Sequence, residues 1–579
     1  MVCRSPFNKP TITFLKLIAF LSVSLYPYKF KADELSPSLL VDYAYLRKAH
    51  QFYDPGTVHL FLKNLSESAV SIEAIWLNDI PLEDLPNDIA IWWRAVPNPI
   101  APQKVGDIII KLKRPLSTPL KVRVKTTDGK TVEQSVDTSY PPLKITYVGF
   151  SEELNKIYIY LENLGDEALN VERIYLDSLN ITDSIATSWR GIPPHNKNCL
   201  IINLMKGLKQ GDYITLKIET KERQNAEATI RVFSAFPITA WDGDTREELY
   251  FDTYPFLIPY SPTPSRLEEN RKKPANMMYL LADDPVGEDM KANSSMPEGW
   301  SEELLIGASA EEIISYAEEC YRYDPIHSVS LCLRDSGKPS AYFIYGELAD
   351  ALLIHPCENV YYQHRPIRDG YWTALGKLAC EPRPLYVLPE AFKAIGRCGA
   401  SPRYPTPEEL RLIVHYEIAQ GAKGVIFFKR SGENGYEANP SLKKEIKKLN
   451  RELQKMKNFL RIGEPFSLAE TTNPQVEAYS LLCGDEAIIL LLINHDHESD
   501  FHPEKEAFRC RPKKNFAVTL NIPSWLGVKE VYEISEGGNT IPLRYRKLSE
   551  NKILIYIKEL ELTKQIVVRT RMEKGSEEL

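Results

Sequence analysis

The chain has 579 residues, of which 43% are hydrophobic and 26% charged, a globular composition that excludes a wholly disordered chain. At roughly 150 residues per domain, this length predicts about four domains. Lys and Arg number 71 and Asp and Glu 78, a net charge of −7 without a dominant block of one sign, so we expect no nucleic-acid partner.

Residues 1–31 have the features of an export signal. Arg4, Lys9 and Lys16 precede the apolar stretch Leu17–Tyr26, which has the length of a signal-peptide core and is short for a membrane span. We therefore expect a signal peptide or an N-terminal anchor over residues 1–31. The mature protein is then secreted, periplasmic or at the cell surface, and only this segment could tether it to a membrane.

An internal repeat follows. The sequence VHLFLKNLSESAVSIEAIWLNDIPLED at residues 58–84 aligns without a gap with IYIYLENLGDEALNVERIYLDSLNITD at residues 157–183. Both copies alternate apolar and polar residues in short runs broken by turn-forming residues, which predicts strands. Units of about one hundred residues with about seven such strands fit an immunoglobulin-like β-sandwich. We therefore predict two tandem β-sandwich modules, over residues 36–138 and 139–235.

From residue 236 the pattern changes to apolar runs that alternate with helical stretches, which predicts a parallel sheet covered by helices. The predicted strands are Phe236–Trp241, Phe256–Tyr260, Met277–Ala282, His327–Leu333, Ala349–His355, Arg383–Pro389 and Ala422–Phe428. The predicted helices include Ala310–Tyr321, Tyr371–Cys380 and Pro407–Gln420. Seven strands are one fewer than a (β/α)8 barrel has. We predict a TIM-like barrel over residues 236–463 that is either compressed between residues 242 and 276 or incomplete.

The clearest helix lies at residues 440–463. Asn439 can cap it, Pro440 suits its first turn, and apolar residues recur at alternating spacings of four and three. We interpret it as the last covering helix of the barrel, with a solvated basic face, and an interaction helix is the alternative. Alternating runs then return and predict a C-terminal β-sandwich over residues 464–572.

The cysteines and histidines indicate no metal site. The chain has nine cysteines but no C-x-x-C pair, which excludes a zinc ribbon. One interpretation is that the cysteines are buried free thiols. The other is that one or two disulfides form within the segment 320–398. The segment His495–His502 is rich in imidazole and carboxylate groups but follows an accessory strand, so we interpret it as a solvated turn. The sequence holds no nucleophile-elbow, P-loop or dinucleotide motif, and we expect no cofactor.

Carboxylates follow two of the predicted barrel strands, where such barrels carry their functional groups. Asp283 and Asp284 follow the strand MMYLLA, and Glu390 follows RPLYVLP. Two carboxylates at one mouth are what glycoside hydrolysis requires, since one protonates the leaving oxygen and the other attacks the sugar or activates water. In a purely structural interpretation, Asp284 caps the next helix and Glu390 pairs with an arginine.

These segments resemble clan A glycoside hydrolases and their secreted bacterial relatives. Residues 279–285, YLLADDP, are similar to the end of their strand four, where an apolar strand is followed by Asn-Glu-Pro or Asp-Glu-Pro. Residues 383–390, RPLYVLPE, are similar to their strand seven. Residues 404–411 and 421–428 resemble their last helix and strand eight, so that the resemblance covers about residues 236–462.

The resemblance implies a barrel in which Asp284 is the acid/base and Glu390 the nucleophile. Other side chains near the predicted mouth could bind substrate, because aromatic faces stack on pyranose rings and carboxylates bond sugar hydroxyls. These substrate-binding candidates are Trp241, Asp242, Asp283, Tyr371, Trp372 and Phe428.

The implied function is that of a secreted glycoside-hydrolase-like protein that acts on a polysaccharide or oligosaccharide. The chain departs from its relatives at Asp284, where they have Glu, and at His355-Pro356-Cys357, where they often have Asp-x-Tyr-Pro. The alternative is therefore a catalytically inactive carbohydrate-binding or cell-surface structural protein on the same scaffold. Enzymatic activity is left open, and is that of a glycoside hydrolase if present.

Overall fold

The computed structural model describes one compact unit of the chain, which begins after residue 36. The described residues are 39–47, 54–82, 89–116, 119–136, 141–187, 189–240, 265, 268, 271–272, 278–282, 310–334, 340–355, 366–389, 391–393, 403–427, 435–499 and 508–572. The predicted signal segment, residues 1–31, lies outside them. No helix within the described residues is long and apolar enough to cross a membrane.

The first repeat copy forms two antiparallel four-stranded sheets that face each other across an apolar core. One sheet has the order β1-β2-β6-β5, from β1 (Leu39–Arg47), β2 (Thr57–Asn64), β6 (Val105–Leu112) and β5 (Ala90–Val96). The other has the order β4-β3-β7-β8, from β4 (Ile80–Pro81), β3 (Ile72–Leu77), β7 (Leu120–Thr126) and β8 (Thr131–Val136). The alternating apolar residues of these strands fill the space between the sheets.

The second repeat copy has the same arrangement. One sheet has the order β14-β10-β9, from β14 (Lys197–Asn203), β10 (Lys156–Asn163) and β9 (Leu143–Phe150). The other has the order β12-β11-β15-β16, from β12 (Leu179–Asn180), β11 (Leu169–Leu176), β15 (Tyr213–Thr220) and β16 (Asn225–Arg231), and β13 (Gly191–Ile192) also pairs with β11. We refer to residues 39–136 and 141–232 as the first and second modules.

One asparagine in each module shows that the repeat is structural. Asn64 is fully buried at the end of β2, and its side-chain NH2 donates to the carbonyls of Ser68 at 2.8 Å and Ile100 at 3.0 Å. Asn163 ends β10 in the same way, donating to the carbonyls of Glu167 at 2.7 Å and Ile192 at 3.0 Å. In both copies the side-chain oxygen accepts from the backbone N–H two residues later. The same residue therefore closes the same turn twice.

A six-stranded parallel sheet follows the modules, in the order β17-β22-β21-β20-β19-β18. Its strands are β17 (Ile238–Ala240), β18 (Met278–Ala282), β19 (Ser328–Arg334), β20 (Ala351–His355), β21 (Leu385–Val387) and β22 (Val425–Phe427). Five of them lie within predicted strands and β19 extends one residue beyond its prediction, whereas the seventh prediction, at residues 256–260, falls outside the described residues. The side chains described in β20, β21 and β22 are all buried, as expected for a sheet covered on both faces.

The order of this sheet follows the chain except at its first strand. Strands β18 to β22 are neighbours in chain order, and the first strand, β17, pairs in parallel with the last, β22. Among the described strands, β17 and β18 each have a neighbour on one side only, and most of the residues between them lie outside the described part. A complete TIM barrel is not evident, because the described residues hold only six of these strands and five helices.

Five helices accompany the sheet. They are α1 (Ala310–Tyr323), α2 (Ser340–Tyr345), α3 (Pro366–Cys380), α4 (Pro407–Ala419) and α5 (Pro440–Ile462). Thr406 caps α4 in a capping box with Glu409, and Asn439 caps α5 by accepting from the N–H groups of Ser441 and Leu442. The predicted apolar stripe of α5 is buried, and its lysines and Arg451 are exposed or partly exposed, as expected, whereas Arg461 is buried.

The C-terminal strands form a sandwich of a six-stranded and a four-stranded antiparallel sheet. The first has the order β23-β25-β26-β34-β30-β31, from Glu464–Phe466, Val476–Cys483, Ala487–Asn494, Thr563–Met572, Leu526–Ile534 and Thr540–Pro542. The second has the order β24-β29-β33-β32, from Ala469–Thr471, Lys513–Asn521, Lys552–Leu560 and Tyr545–Ser549. A separate hairpin joins β27 (His497–Ser499) to β28 (Phe508–Cys510). The expectation of a multidomain chain with several β-sheets is thus confirmed, whereas the domain boundaries stay predictions.

Candidate functional site

The parallel sheet has two edges of different character. We call the edge at which its strands end the carboxyl edge, and the edge at which they begin the amino edge. The register aligns the strand ends, since Arg334 pairs with His355, Ile354 with Val387, and Ala240 with Phe427. In parallel sheets with covering helices, binding and catalytic groups lie at the carboxyl edge.

The predicted site residues follow the strands at this carboxyl edge. Trp241 and Asp242 come directly after β17, Asp283 and Asp284 after β18, Glu390 three residues after β21, and Phe428 directly after β22. These six residues lie outside the described part of the chain, so their roles stay predictions. The described strands show only that each of these six residues follows a strand that ends at the carboxyl edge.

The spacing of the strands sets a requirement for the predicted carboxylate pair. Two strands, β19 and β20, separate β18 from β21, so their ends are three strand spacings apart, roughly 14 Å along the sheet. Retaining glycosidases hold their two carboxyl groups about 5 Å apart, and inverting ones about 6.5–9.5 Å. A catalytic pair at these positions would therefore need a curved sheet, with both side chains directed toward its concave side.

Tyr371 and Trp372 are the two predicted binding residues that the structure describes. Both lie on α3, with ring centroids 5.5 Å apart. The Tyr371 side chain is 53% exposed, so its ring remains accessible. Trp372 is only 9% exposed, and its ring meets Tyr342 of α2 edge to face at 6.3 Å. In this conformation Trp372 packs in the core and offers little ring surface to a ligand.

His355 is a described residue at the carboxyl edge that sequence reasoning did not single out as a site residue. It ends β20, is buried, and lies with its ring centroid 6.0 Å from that of Phe392, which follows β21. Tyr386 of β21 is also buried, and burial raises the pKa of its hydroxyl well above the usual value. A polar residue that ends an otherwise apolar strand was the available signal for His355.

The amino edge carries a dense set of buried ion pairs. His327, Asp350, Arg383 and Lys423 stand one or two residues before β19, β20, β21 and β22, respectively. Asp350 accepts from Arg231 of the second module at 2.8 Å and from the Tyr213 hydroxyl at 2.5 Å. Burial would raise the pKa of Asp350, but the nearby guanidinium groups hold it below the usual value.

Glu347 is the centre of the contact with the first module. Its carboxylate lies 3.0 Å from Arg47, 3.4 Å from His59 Nε2 and 3.4 Å from Arg383. Burial would raise the pKa of Glu347, but these three groups hold it well below its usual range. Burial opposes the charging of His59, yet Asp107 and Glu347 raise its pKa above the usual value.

A second set of pairs joins the second module to α3 and the C-terminal sandwich. Lys377 donates to the Thr146 carbonyl at 2.8 Å and lies 3.1 Å from Glu464. Glu381 pairs with Lys144, and its pKa is lowered to about 2 because the nearby lysines outweigh its burial. Ion pairs at the amino edge of a β/α fold stabilise the fold and take no part in the chemistry.

The described residues contain no group of three metal-binding side chains. In the segment predicted as a solvated turn, His495 lies 2.7 Å from Glu477 and 3.1 Å from the Tyr416 hydroxyl, and Asp496 pairs with Lys513. These side chains are thus committed to protein partners. Cys199, Cys320, Cys380 and Cys483 are buried free thiols, in keeping with that interpretation of the cysteines.

Comparison with known proteins gives only a faint likeness. No family model and no curated protein matches the chain. Among solved structures it is similar to an FMN-binding beta-glucuronidase from Facaelibacterium prausnitzii L2-6, with 10% identity, a TM-score of 0.24 and coverage of 89% of this chain and 90% of that one. For a glucosidase from Croceicoccus marinus the identity is 11%, the TM-score 0.28 and the coverage 54% and 76%.

A third likeness is partial, since the chain spans only 19% of alpha-L-fucosidase isoenzyme 2 from Paenibacillus thiaminolyticus. The match covers 24% of this chain, with 17% identity and a TM-score of 0.16. Likenesses at this level are weak, concern the fold alone and carry no weight for an activity.

Proposed function

We propose that the chain is a glycoside-hydrolase-like protein whose substrate is a polysaccharide or oligosaccharide. The observation that carries this proposal is the barrel-type order of the parallel sheet, in which β17 pairs with β22 and all six strands end at one edge. In the sequence Asp284 follows β18 by two residues and Glu390 follows β21 by three, and both strands end at the same edge. In the proposed mechanism Asp284 donates a proton to the leaving oxygen and Glu390 attacks the anomeric carbon.

The contacts at the amino edge also support a site at the carboxyl edge. The two modules make buried ion pairs at the amino edge, and in the proposal a glycan approaches the sheet from the opposite side. Tyr371, with its accessible ring, is the described residue best suited to contact a sugar, since aromatic rings stack on pyranose faces.

The test is hydrolysis of a panel of α- and β-linked 4-nitrophenyl glycosides and of several polysaccharides. Glu390→Gln and Asp284→Asn are expected to lower kcat by at least about a thousandfold while the circular dichroism spectrum stays unchanged. Glu408→Gln is the matched control, because Glu408 is an exposed carboxylate in the first turn of α4. A substrate that the wild type and the Glu390 variant cleave equally fast would refute the assignment.

A catalytically inactive carbohydrate-binding or cell-surface protein is the second candidate. The observation that favours it is Asp284, whose side chain is one methylene shorter than the Glu of the family pattern. On this alternative, calorimetry detects glycan binding by the wild type, no glycan is cleaved, and Tyr371→Ala weakens binding. Detectable turnover that depends on Glu390 excludes it.

We also propose that the mature protein is exported, on the basis of the leader-like residues 1–31. Expression with its own N-terminus in a bacterial host is expected to give a shortened chain outside the cytoplasm. Mass spectrometry of that fraction would show cleavage, or an intact N-terminus if the segment acts as an anchor.

A further inference from the structure

A cleft lies where the two modules meet the parallel-sheet domain. Tyr45 and Arg47 of β1 line it from the first module, Lys144 of β9 and Glu227 of β16 from the second, and Glu381 from the end of α3. The remaining lining is apolar and consists mainly of prolines, alanines and short aliphatic side chains. The cleft is distinct from the carboxyl edge, because α3 ends there and leads into the start of β21.

The other charged groups around this cleft have partners of opposite sign. Arg47 lies 3.0 Å from Glu347, and Lys144 pairs with Glu381. His59 Nδ1 lies 2.9 Å from Asp107 on the side of the first module. In each of these pairs, the charge of one side chain is balanced by the charge of its partner.

Glu227 is the exception. Its residue is only 4% exposed, yet neither of its carboxylate oxygens has a hydrogen-bond partner. The residue opposite it across the β15–β16 ladder is Lys217, which would be its natural partner. The Lys217 ammonium instead contacts Asp42 at 2.7 Å and Glu219 at 3.5 Å.

We propose that this cleft is a binding site for a small primary ammonium compound, with Glu227 as the anionic ligand. A ligand with a single positive charge would be the counter-charge that the Glu227 carboxylate lacks. An ammonium group also has three N–H donors for two oxygens that have no other donor. The apolar walls suit a short organic body better than a hydrated metal ion.

A proton is the competitor for this site. Burial, together with Asp42, Asp107 and Glu219, raises the pKa of Glu227 well above its usual value, and Lys217 only partly opposes them. Where Glu227 carries a proton, an ammonium ligand must displace it. On binding, the acid proton passes to the buffer and the ligand keeps its charge, so affinity rises with pH.

The experiment is titration calorimetry of the full chain with n-propylammonium chloride at constant ionic strength, in phosphate and in MOPS buffer. One saturable site per chain is expected, with an apparent enthalpy that differs between the buffers because a proton is released. Tetramethylammonium chloride and 1-propanol are expected not to bind, since the first has no N–H donor and the second has no charge.

Glu227→Gln is expected to weaken propylammonium binding by at least about tenfold and to abolish its buffer dependence. Glu172→Gln is the matched control, because Glu172 lies on β11 outside the cleft lining and pairs with Arg173 at the surface. Absence of saturable binding, or equal binding by both variants, would overturn the proposal and leave Glu227 as a protonated core residue. Potassium chloride binding as tightly as propylammonium would overturn the assignment to an ammonium compound.

Discussion

At the scale of single residues, one buried carboxylate at the amino edge is the counter-charge for several cationic side chains. Glu347 does this for Arg47, His59 and Arg383, which come from the first module and from the start of β21. Taking such charges out of water is costly, and only close partners offset the cost. Removing the shared partner therefore exposes more than one uncompensated charge.

We predict that Glu347→Gln lowers the free energy of unfolding by about 3–5 kcal/mol, because buried guanidinium groups lose their counter-charge. Urea denaturation monitored by fluorescence measures the change. Glu133→Gln is the control, since Glu133 pairs with Lys121 on the surface and both side chains are more than 40% exposed. Equal stability of the wild type and the Glu347 variant would show that the carboxylate is dispensable.

His415 links pH to stability at the contact between α4 and the C-terminal sandwich. Its Nδ1 donates to the Arg411 carbonyl at 2.7 Å, and its Nε2 accepts from Gln565. Burial, with help from the Arg411 charge, lowers the pKa of His415 to about 4. Because this is below the usual value of about 6.5, its contribution is complete above about pH 6.5 and is lost as the pH falls toward 4.

Between about pH 7 and about pH 5, protonation of this group should cost the wild type roughly 2 kcal/mol of unfolding free energy. His415→Gln, which cannot titrate, is expected to lose less stability over that interval by about the same amount. Urea unfolding at both pH values measures the difference, with His195→Gln as the exposed control. Parallel pH dependence of the wild type and His415→Gln would contradict the assignment.

At the scale of elements, each module depends on one asparagine to close the turn after its second strand. Asn64 and Asn163 make equivalent bonds, so their loss should have equivalent effects. We predict that Asn64→Ala and Asn163→Ala each destabilise the protein by about 1–3 kcal/mol, because buried carbonyls lose their donors. Thermal unfolding measures this, with the exposed Asn203→Ala as control. A large effect in one module only would mean that the copies have diverged in function.

The elements also show what the sequence could predict. Local signals were sufficient for the repeat strands, for α5 with its Asn439 cap, and for the six parallel strands, because each carries its own periodicity or turn residues. Helix α2 was missed because SAYFIY is buried throughout and has no polar face to reveal a period. The Glu347 contacts were also missed, since pairing between residues distant in sequence leaves no local pattern.

The candidate site was predictable only to the level of an edge. The strand patterns fixed where Asp284 and Glu390 attach, but not how the strands curve, and curvature decides whether two carboxylates meet. Tyr371 and Trp372 are adjacent in sequence, yet one ring is exposed and the other packs against Tyr342. Only the packing of α3 distinguishes them.

At the scale of the whole molecule, a single apolar core connects the modules to the rest of the chain. Trp92 of the first module donates its indole N–H to the Ile344 carbonyl at 2.9 Å, and Tyr160 of the second donates to the Leu482 carbonyl at 2.8 Å. Both aromatic rings belong to the cluster that fills the parallel sheet and the C-terminal sandwich. The modules are therefore structural parts of the α/β domain and not a flexible stalk.

The pairing of β17 with β22 also has a consequence for synthesis on the ribosome. Among the described strands β17 pairs only with β22, so residues 238–240 have no ladder partner until residues 425–427 have emerged. Both modules have been synthesised before residues 425–427 emerge. The rings of Trp92 and Tyr160 are buried by residues that come later in the chain. Trp92 and Tyr160 bond to the carbonyls of Ile344 and Leu482, so their aromatic surface stays exposed in the nascent chain until these residues, 252 and 322 positions later, have emerged. Binding by a chaperone would be most valuable during this interval.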